Sequence, residues 1–452
     1  MRVARFSEKT SPMDDLSPRA SKDVAAASPP EPRRILGLHW NVFFAGLVSF
    51  FMDVSSEMIY PLVPLFLASV LGVNKSVIGL IEGIAEATAS LLKVFAGWVS
   101  DRLGRRKALL VLGYGISAAS RPGLALAGSW GQVLGMRFVD RFGKGVRTPP
   151  RDAIVADSTP ARELGRSFGF HRAMDQFGAV VGPGIAFLVL RAAPQAYRTV
   201  FWISMIPAVV AVLVIVFFIR ERRRPRAGAA DPGAAGGNPE TVAAGAGARA
   251  FQSHRLRQKL TRLRGPLLNY VVVTGLFALG NSSDVFLILR AQNLGVAAVL
   301  IPVLYMAYNL VYSGLSIPAG MVADRIGRRK VALLGYLVFA LAYAGMALAG
   351  SVWAAWGMFL LYGVYMGIAD GNGRAFLAEL SPADRKATAF GVYHSVVGFM
   401  TLPASVIAGL LWDRVSPAAP FWVGAGMAVL AGVLLLLLVP ETPGGGGQAI
   451  TA

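Results

Sequence analysis

Charged side chains recur at helical spacing inside stretches of this chain that are otherwise apolar. Asp53 and Glu57 stand four residues apart, and so do Glu82 and Glu86. Arg137, Asp140, Arg141 and Lys144 follow the spacing i, i+3, i+4, i+7, while His171, Arg172 and Asp175 share a further stretch. Asp284 and His394 stand in two more. Residues three or four apart lie on one face of a helix, so each set forms a stripe. A carboxylate removed from water can take and release protons, unless a neighbouring arginine holds it ionised. Arg137, Arg141 and Lys144 could bind an anion, or rest against Asp140, Asp175 and Glu86. His171, Met174 and Asp175 share a face that could hold a soft metal, but two histidines and no cysteine make a hydrogen-bonded cavity histidine the better reading.

The elements that must carry these stripes are membrane helices. The chain has 452 residues, of which 55% are hydrophobic and only 15% charged, with a mean hydropathy of +0.55; soluble domains are about a quarter charged. Windows of about 20 apolar residues span a bilayer. Twelve such spans are expected near 41–71, 77–99, 108–128, 130–150, 166–191, 199–220, 267–292, 297–321, 331–350, 353–375, 389–411 and 419–440. The net charge of +19 could suggest nucleic acid, but its placement does not. With twelve spans, the segments 1–39, 100–107, 147–166, 220–265, 322–330 and 374–388 share one side and hold 33 of the 44 lysines and arginines. That bias puts both termini in the cytoplasm. With no cysteine in the chain, disulfides, thiolate metal sites and cysteine catalysis are excluded.

Each charge facing lipid at the bilayer centre costs at least about 2.5 kcal/mol. For Asp53, Glu57, Glu82, Glu86, Arg137, Asp140, Arg141 and Asp175 together this is roughly 20 kcal/mol, more than the ~5–15 kcal/mol by which a fold is stable. These groups must therefore face one another or a wet cavity. Asp53 is the first choice for proton coupling and Glu57 the second, followed by Asp175 and Asp284. The alternative for Asp53 is a permanent ion pair that only orients helices. Tyr305, Tyr308, Tyr312, Tyr362, Tyr365 and Tyr393 recur at helical spacing in places; some could line a binding cavity, with core or interfacial packing as the default.

The chain also repeats itself. Gly97-Trp98-Val99-Ser100-Asp101-Arg102-Leu103-Gly104-Arg105-Arg106-Lys107 returns as Gly320-Met321-Val322-Ala323-Asp324-Arg325-Ile326-Gly327-Arg328-Arg329-Lys330, 223 residues later. Leu71-Gly72-Val73 returns as Leu294-Gly295-Val296, and Ser55-Ser56-Glu57 is similar to Ser282-Ser283-Asp284. Asp157, Pro160 and Phe168-Gly169 recur as Glu379, Pro382 and Phe390-Gly391 at an offset of 222. A fixed offset along each half means duplication. The expected organisation is a disordered cytoplasmic tail (1–38), a first six-helix bundle (39–220), a cytoplasmic linker (221–265), a second bundle (266–440) and a short tail (441–452). Phe251 to Arg264 reads either as a basic amphipathic helix on anionic lipid or as a solvated linker.

The duplicated loop resembles that of the major facilitator superfamily, whose form is G-x-x-x-D-R-x-G-R-R-K; both copies match it fully. The resemblance implies an all-α membrane protein of twelve transmembrane helices in two six-helix bundles around a central cavity. It also implies a gating role, latching the bundles on the cytoplasmic side, for Gly97, Asp101, Arg102, Gly320, Asp324 and Arg325. Asp53, Pro61 and Pro64 are similar to the first-span pattern of the family's drug:proton antiporters. Gly169, Gly178, Gly182 and Pro183 match the fifth-span motif of its exporters, except that Ala186-Phe187 replaces the final glycine pair. Arg137 resembles the arginine of the fourth-span motif, with Asp140 where glutamine is usual. No nucleophile elbow, metal motif or phosphate loop argues for an enzyme. The expected function is efflux of a small molecule coupled to protons by alternating access in a bacterial inner membrane, with uptake of a nutrient or metal chelate as the alternative and a non-transporting receptor behind it. The expected partners are a small-molecule substrate, protons and the lipid bilayer, with no nucleic acid and no cofactor, and one copy suffices.

Overall fold

The structure is a computed structural model that describes residues 34–103, 105–160, 163–221, 265–381 and 386–441. The linker segment Phe251 to Arg264 lies outside the described residues, as do the ends beyond them. Long helices dominate: α1 Trp40–Ile59, α2 Lys75–Leu103, α3 Arg106–Leu126, α4 Trp130–Asp157, α5 Leu164–Ala192 and α6 Tyr197–Phe218, then α7a Pro266–Gly280 with α7b Val285–Asn293, α8 Ile301–Ile326, α9 Arg328–Leu348, α10 Val352–Leu380, α11 Lys386–Arg414 and α12 Ala419–Leu438. A short turn, Val63–Leu65, and a π-helical turn, Phe66–Val70, continue α1. A two-stranded hairpin, β1 Arg34–Ile35 with β2 Leu38–His39, precedes α1. Its turn has positive φ at Leu36 and Gly37, as a two-residue hairpin loop requires. Arg34 pairs with Glu163 at 3.2 Å and Arg166 donates to the Leu36 carbonyl at 3.1 Å, so the hairpin is tied to the α4–α5 connection.

Ten of these helical units are long and apolar enough to cross a membrane by length and composition, and the chain is a multi-pass membrane protein. The two that fall short among the described residues, α2 and α4, are those carrying Glu82, Glu86 and Lys93 and Arg137 to Arg151. They pack against each other and against α11 and α3, which gives their charges partners that lipid could not.

The duplication is visible in the packing. In the first half α1 packs on α5 and α6, α2 on α4, and α3 on α4 and α6; in the second, α7a packs on α11 and α12, α8 on α10, and α9 on α10 and α12. Detail repeats as well. Ser129 caps α4 by accepting from Gln132 N at 3.4 Å, and Ser351 caps α10 by accepting from Ala354 N at 3.2 Å. Gly123 leaves room for the Met136 side chain and Gly345 for that of Met358. α2 and α11 run antiparallel along one seam between the halves, and α5 and α8 form the other.

Two expected spans are not continuous: the first is interrupted at Tyr60–Leu62, around Pro61. The seventh breaks at Asn281–Asp284, where Gly280 is followed by Asn-Ser-Ser-Asp. Gly280 is a weak helix former, and the short polar side chains compete for the backbone. Ser283 N takes the Ser405 hydroxyl at 3.3 Å, and Ser283 Oγ accepts from Val285 N at 3.5 Å.

The fifth-span glycines do not all do the same thing. A Cβ at Gly182 would lie 2.6 Å from the Val54 carbonyl oxygen and 3.0 Å from Met58 N; one at Gly178 would lie 2.7 Å from the Phe50 carbonyl oxygen and 2.9 Å from Asp53 Cβ. These two glycines set α5 directly behind Asp53. A Cβ at Gly169 or Gly320 would meet nothing within 4 Å. Gly182→Ala is therefore expected to cost about 1–3 kcal/mol and to lower the melting temperature in detergent, with Gly169→Ala unchanged; equal melting of the two would remove this account of α5 packing.

Candidate functional site

Three ion pairs absorb most of the charge in the first bundle. Arg137 on α4 grips Glu82 on α2 through two bonds, Nε to Oε1 at 3.1 Å and Nη2 to Oε2 at 2.5 Å, with both side chains at least 97% buried. Arg121 on α3 pairs with Asp140 on α4 at 3.1 Å and donates from Nε to the Ser55 hydroxyl of α1 at 3.1 Å. Arg141 pairs with Glu86 at 2.8 Å, at the partly open edge of the same group. Arg147 lies over the Tyr114 ring, its Cζ 4.5 Å from the centroid.

Charge is left over on α1 and α5. Among the described residues Asp53 is in no ion pair and Glu57 is in none, and Glu57 Oε2 is buried without a hydrogen-bond partner. Asp175 Oδ1 is buried and unpartnered as well, while its Oδ2 lies 3.5 Å from His171 Nδ1. His171 shares a 2.7 Å hydrogen bond with Ser49 of α1, which also accepts from Arg151 at 3.3 Å. Lys144 is half-buried one turn beyond Arg141, close enough to act electrostatically on Asp53, Glu57 and Glu86, and makes no ion pair among the described residues.

The second bundle answers with tyrosines. Tyr305, Tyr308 and Tyr312 stack along α8, with centroids 5.5 and 6.4 Å apart, and Tyr308 stacks on Tyr362 of α10 at 5.8 Å. Tyr60 of α1 bridges the halves. Its centroid is 5.5 Å from that of Tyr305, and Arg137 and Arg141 lie 5.8 and 5.9 Å from it. Asp284 accepts from the Tyr362 hydroxyl at 2.6 Å. Tyr365 joins the same cluster, 5.4 Å from Tyr362, whereas Tyr393 stacks on Tyr270 of α7a at 6.3 Å.

The hydrogen bonds and ion pairs joining the two bundles among the described residues begin at the face opposite the termini and stop short of the other. Gln292 donates to Ser69 at 3.2 Å, and Asp413 accepts from the backbone of Lys75 and Ser76. Ser313 donates to Gln176 at 2.6 Å. Pro183 has no N–H to give the Ala179 carbonyl one turn earlier, and Asn309 of α8 supplies the missing donor from Nδ2 at 3.3 Å. Arg172 comes last, donating to Tyr312 at 2.5 Å and reaching Asp370 at 3.4 Å, with Arg374 on the same carboxylate. From Arg172 to the start of α5 is about 12 Å at 1.5 Å per residue, and over that depth no such bond crosses. Among the described residues, the bonds that join the bundles are therefore weighted toward the face opposite the one that carries both ends of the helical body.

The remaining sequence candidates are dispersed. His394 is exposed on α11, edge-on to Tyr393 at 5.3 Å, and no contact joins it to His171. Asp324 pairs with Arg328 at 2.6 Å, and Arg328 also reaches Glu379 at 3.3 Å, all within the second bundle. Arg325 is exposed. The side chains of Asp101 and Arg102, and the surroundings of Gly97, lie outside the described residues. Sequence reasoning missed Arg121, the one charge in an otherwise apolar third span, and Asp370 and Asn309, which anchor the α5–α8 seam.

The sequence profile described as Major Facilitator Superfamily matches residues 45–289 and again 271–450. The chain belongs to the major facilitator superfamily. It is 35% identical over 406 residues to an MFS-type transporter of Methanocaldococcus jannaschii, covering 88% of this chain and 94% of that one. It is 26% identical to a probable 4-methylmuconolactone transporter of Cupriavidus pinatubonensis, over 82% of this chain and 84% of the relative. A quinolone resistance protein, NorA, of Staphylococcus aureus is 22% identical over 192 residues, 42% of this chain and 46% of that one. In fold the chain is similar to a D-xylose–proton symporter (TM-score 0.69, 17% identity, covering 89% of this chain and 98% of that one) and to a POT family transporter in complex with 5-aminolevulinic acid (0.71, 13%, 90% and 98%).

Removing one partner of a buried pair strands the other charge. Arg137→Leu is expected to destabilise the protein by about 3–5 kcal/mol, and Glu82→Leu combined with Arg137→Leu to recover most of it. Thermal unfolding in one detergent checks this; a double variant no better than the single would refute the pairing as the cause.

Proposed function

We propose that this chain exports a small molecule across a bacterial inner membrane in exchange for protons, by alternating access between its two bundles. All twelve helical units would cross the membrane, both termini would be cytoplasmic, and one copy would form the whole path. The excess of lysine and arginine on the terminal side supports the orientation. On this reading the less bonded side of the bundles is the cytoplasmic one, where a path would open, and the loops around Asp101–Arg102 and Asp324–Arg325 would meet when it closes.

The observation that carries the reading is that, among the described residues, Asp53 and Glu57 stay without ion-pair partners while Glu82, Glu86 and Asp140 are each neutralised. An unpaired carboxylate facing an aqueous opening can exchange its proton with whichever side the opening meets. Lys144 is the mobile countercharge: when either acid is ionised, it has a cation within electrostatic reach. Asp175 and Asp284, held by His171 and Tyr362, line the same space as secondary acceptors. The tyrosine wall supplies the apolar, hydrogen-bonding side of a substrate pocket.

Export rests on the Gly178–Gly182–Pro183 face of α5 and on the resistance protein among the partial relatives. Uptake is the second reading, because Ala186-Phe187 replaces the glycine pair that closes the exporter pattern and a proton symporter shares the fold.

The test begins with a ligand screen by thermal shift at two pH values, followed by transport of the best ligand in proteoliposomes. Asp53→Asn and Glu57→Gln are each expected to lose at least tenfold of the transport driven by a pH gradient, while solute exchange at equal pH continues. Gradient-driven transport at the parent rate in both variants, across a range of gradients, would end the proposal. Reversing the gradient decides between export and uptake.

A further inference from the structure

The two seams between the bundles end differently at the face opposite the termini. On the α2–α11 seam, the last turn of α11 carries Asp413, whose Oδ1 accepts from Lys75 N at 3.2 Å and Oδ2 from Ser76 N at 2.7 Å. Lys75 and Ser76 are the first two residues of α2, and the first turn of a helix has N–H groups with no partner inside the helix. Their acceptor here comes from the other bundle. Its negative charge also faces the positive end of the α2 dipole.

The backbones approach closely along the same seam. A Cβ at Gly409 would stand 2.5 Å from Ser76 Cα, and one at Gly83 would stand 3.0 Å from Leu402 Cα; a Cβ at Gly79 would collide with the Ser405 carbonyl and one at Gly398 with Ser90. Glycines on both helices thus let the carboxylate reach its donors.

The internal repeat shows what the other seam lacks. At the offset of 222, the position of Asp413 falls on Arg191, at the end of α5; at 223, Lys75 and Ser76 fall on Ala298 and Val299. α8 starts at Ile301 with a proline next in line and has no side-chain cap. A cation at the end of α5 cannot accept from an N–H. One seam is capped across the bundles, and the equivalent cap on the other is absent among the described residues.

We propose that Asp413 is the latch that holds the face opposite the termini shut, and that its departure from the first turn of α2 lets that face open. The inference rests on the alternating-access reading, but its test reads conformation alone, in detergent with neither substrate nor gradient, so loss of proton coupling would leave it standing.

The chain has no cysteine, so Trp130→Cys and Trp353→Cys place spin labels at the starts of α4 and α10. These are exposed positions, 46% and 83%, in different bundles at the latched face. Pulsed electron–electron distance measurements then report its opening. Asp413→Ala is expected to raise the longer-distance fraction about five- to tenfold, the range a lost helix cap supports. Asp413→Asn keeps an acceptor and is expected to stay within about twofold of the parent. Arg191→Ala is expected to leave the distances unchanged. Parent-like distances in a folded Asp413→Ala would overturn the latch. Should that variant fail to fold, Lys75→Pro removes one donor where proline fits a helix start. It is expected to raise the longer-distance fraction about twofold, and a parent-like distribution there would equally overturn the proposal.

Discussion

No charge in the apolar body of this protein can be left facing lipid, and the first bundle is arranged around that constraint. Its answer is a set of pairs that cross from helix to helix: Glu82 with Arg137, Asp140 with Arg121, Glu86 with Arg141. Each pair joins two of α2, α3 and α4, and Arg121 also reaches α1 through Ser55. The pairs are costly to form and more costly to break singly. They fix the register of four helices against one another, and so the direction in which the remaining acids point. Asp53 and Glu57 are the acids of α1 that none of these pairs neutralises.

The two halves share a pattern of helix packing and differ in their chemistry. Most of the buried cations lie in the first bundle; the second lines the same space with tyrosine rings. Where the halves touch, the contacts depend on irregular backbone. Pro183 leaves a carbonyl for Asn309, and glycines let α2 and α11 meet backbone to backbone.

Much of this was legible in the sequence. The repeated loop and the apolar windows outlined the helices, and the charge spacing of α4 singled out Arg137, Asp140 and Arg141 as groups needing internal partners. Which partner each would take was not legible, because ion pairing between helices depends on rotation and tilt, and one sequence does not specify these. Arg121 shows the limit. It is a lone cation in a span, and only the packed structure reveals that it, not Arg137 or Arg141, takes Asp140. The break in the seventh span was foreshadowed by Asn281-Ser282-Ser283-Asp284. Its counterpart, Ser55-Ser56-Glu57, stays helical, so the local polar run did not decide the matter by itself. Likewise Gly169 fits the spacing of a packing motif without touching anything, since spacing says which face a glycine is on and not what stands opposite.

The interruption at Asn281–Asp284 divides the neighbours of the seventh span. α7a packs on α11 and α12, while α7b lies against α8, α10 and Val63–Leu65; Arg290 of α7b donates to the carbonyls of Met346, Ala347 and Ala349, and Gln292 near its end reaches Ser69. Both segments of the span thus stay with the second bundle, and the second segment also touches the first half of the chain. Four residues outside the helix separate the two segments, so the segments need not share one axis. The first span is divided too, at Tyr60–Leu62 around Pro61, so each half of the chain carries one interrupted helix, and the two segments beyond the interruptions, Val63–Leu65 and α7b, lie against each other.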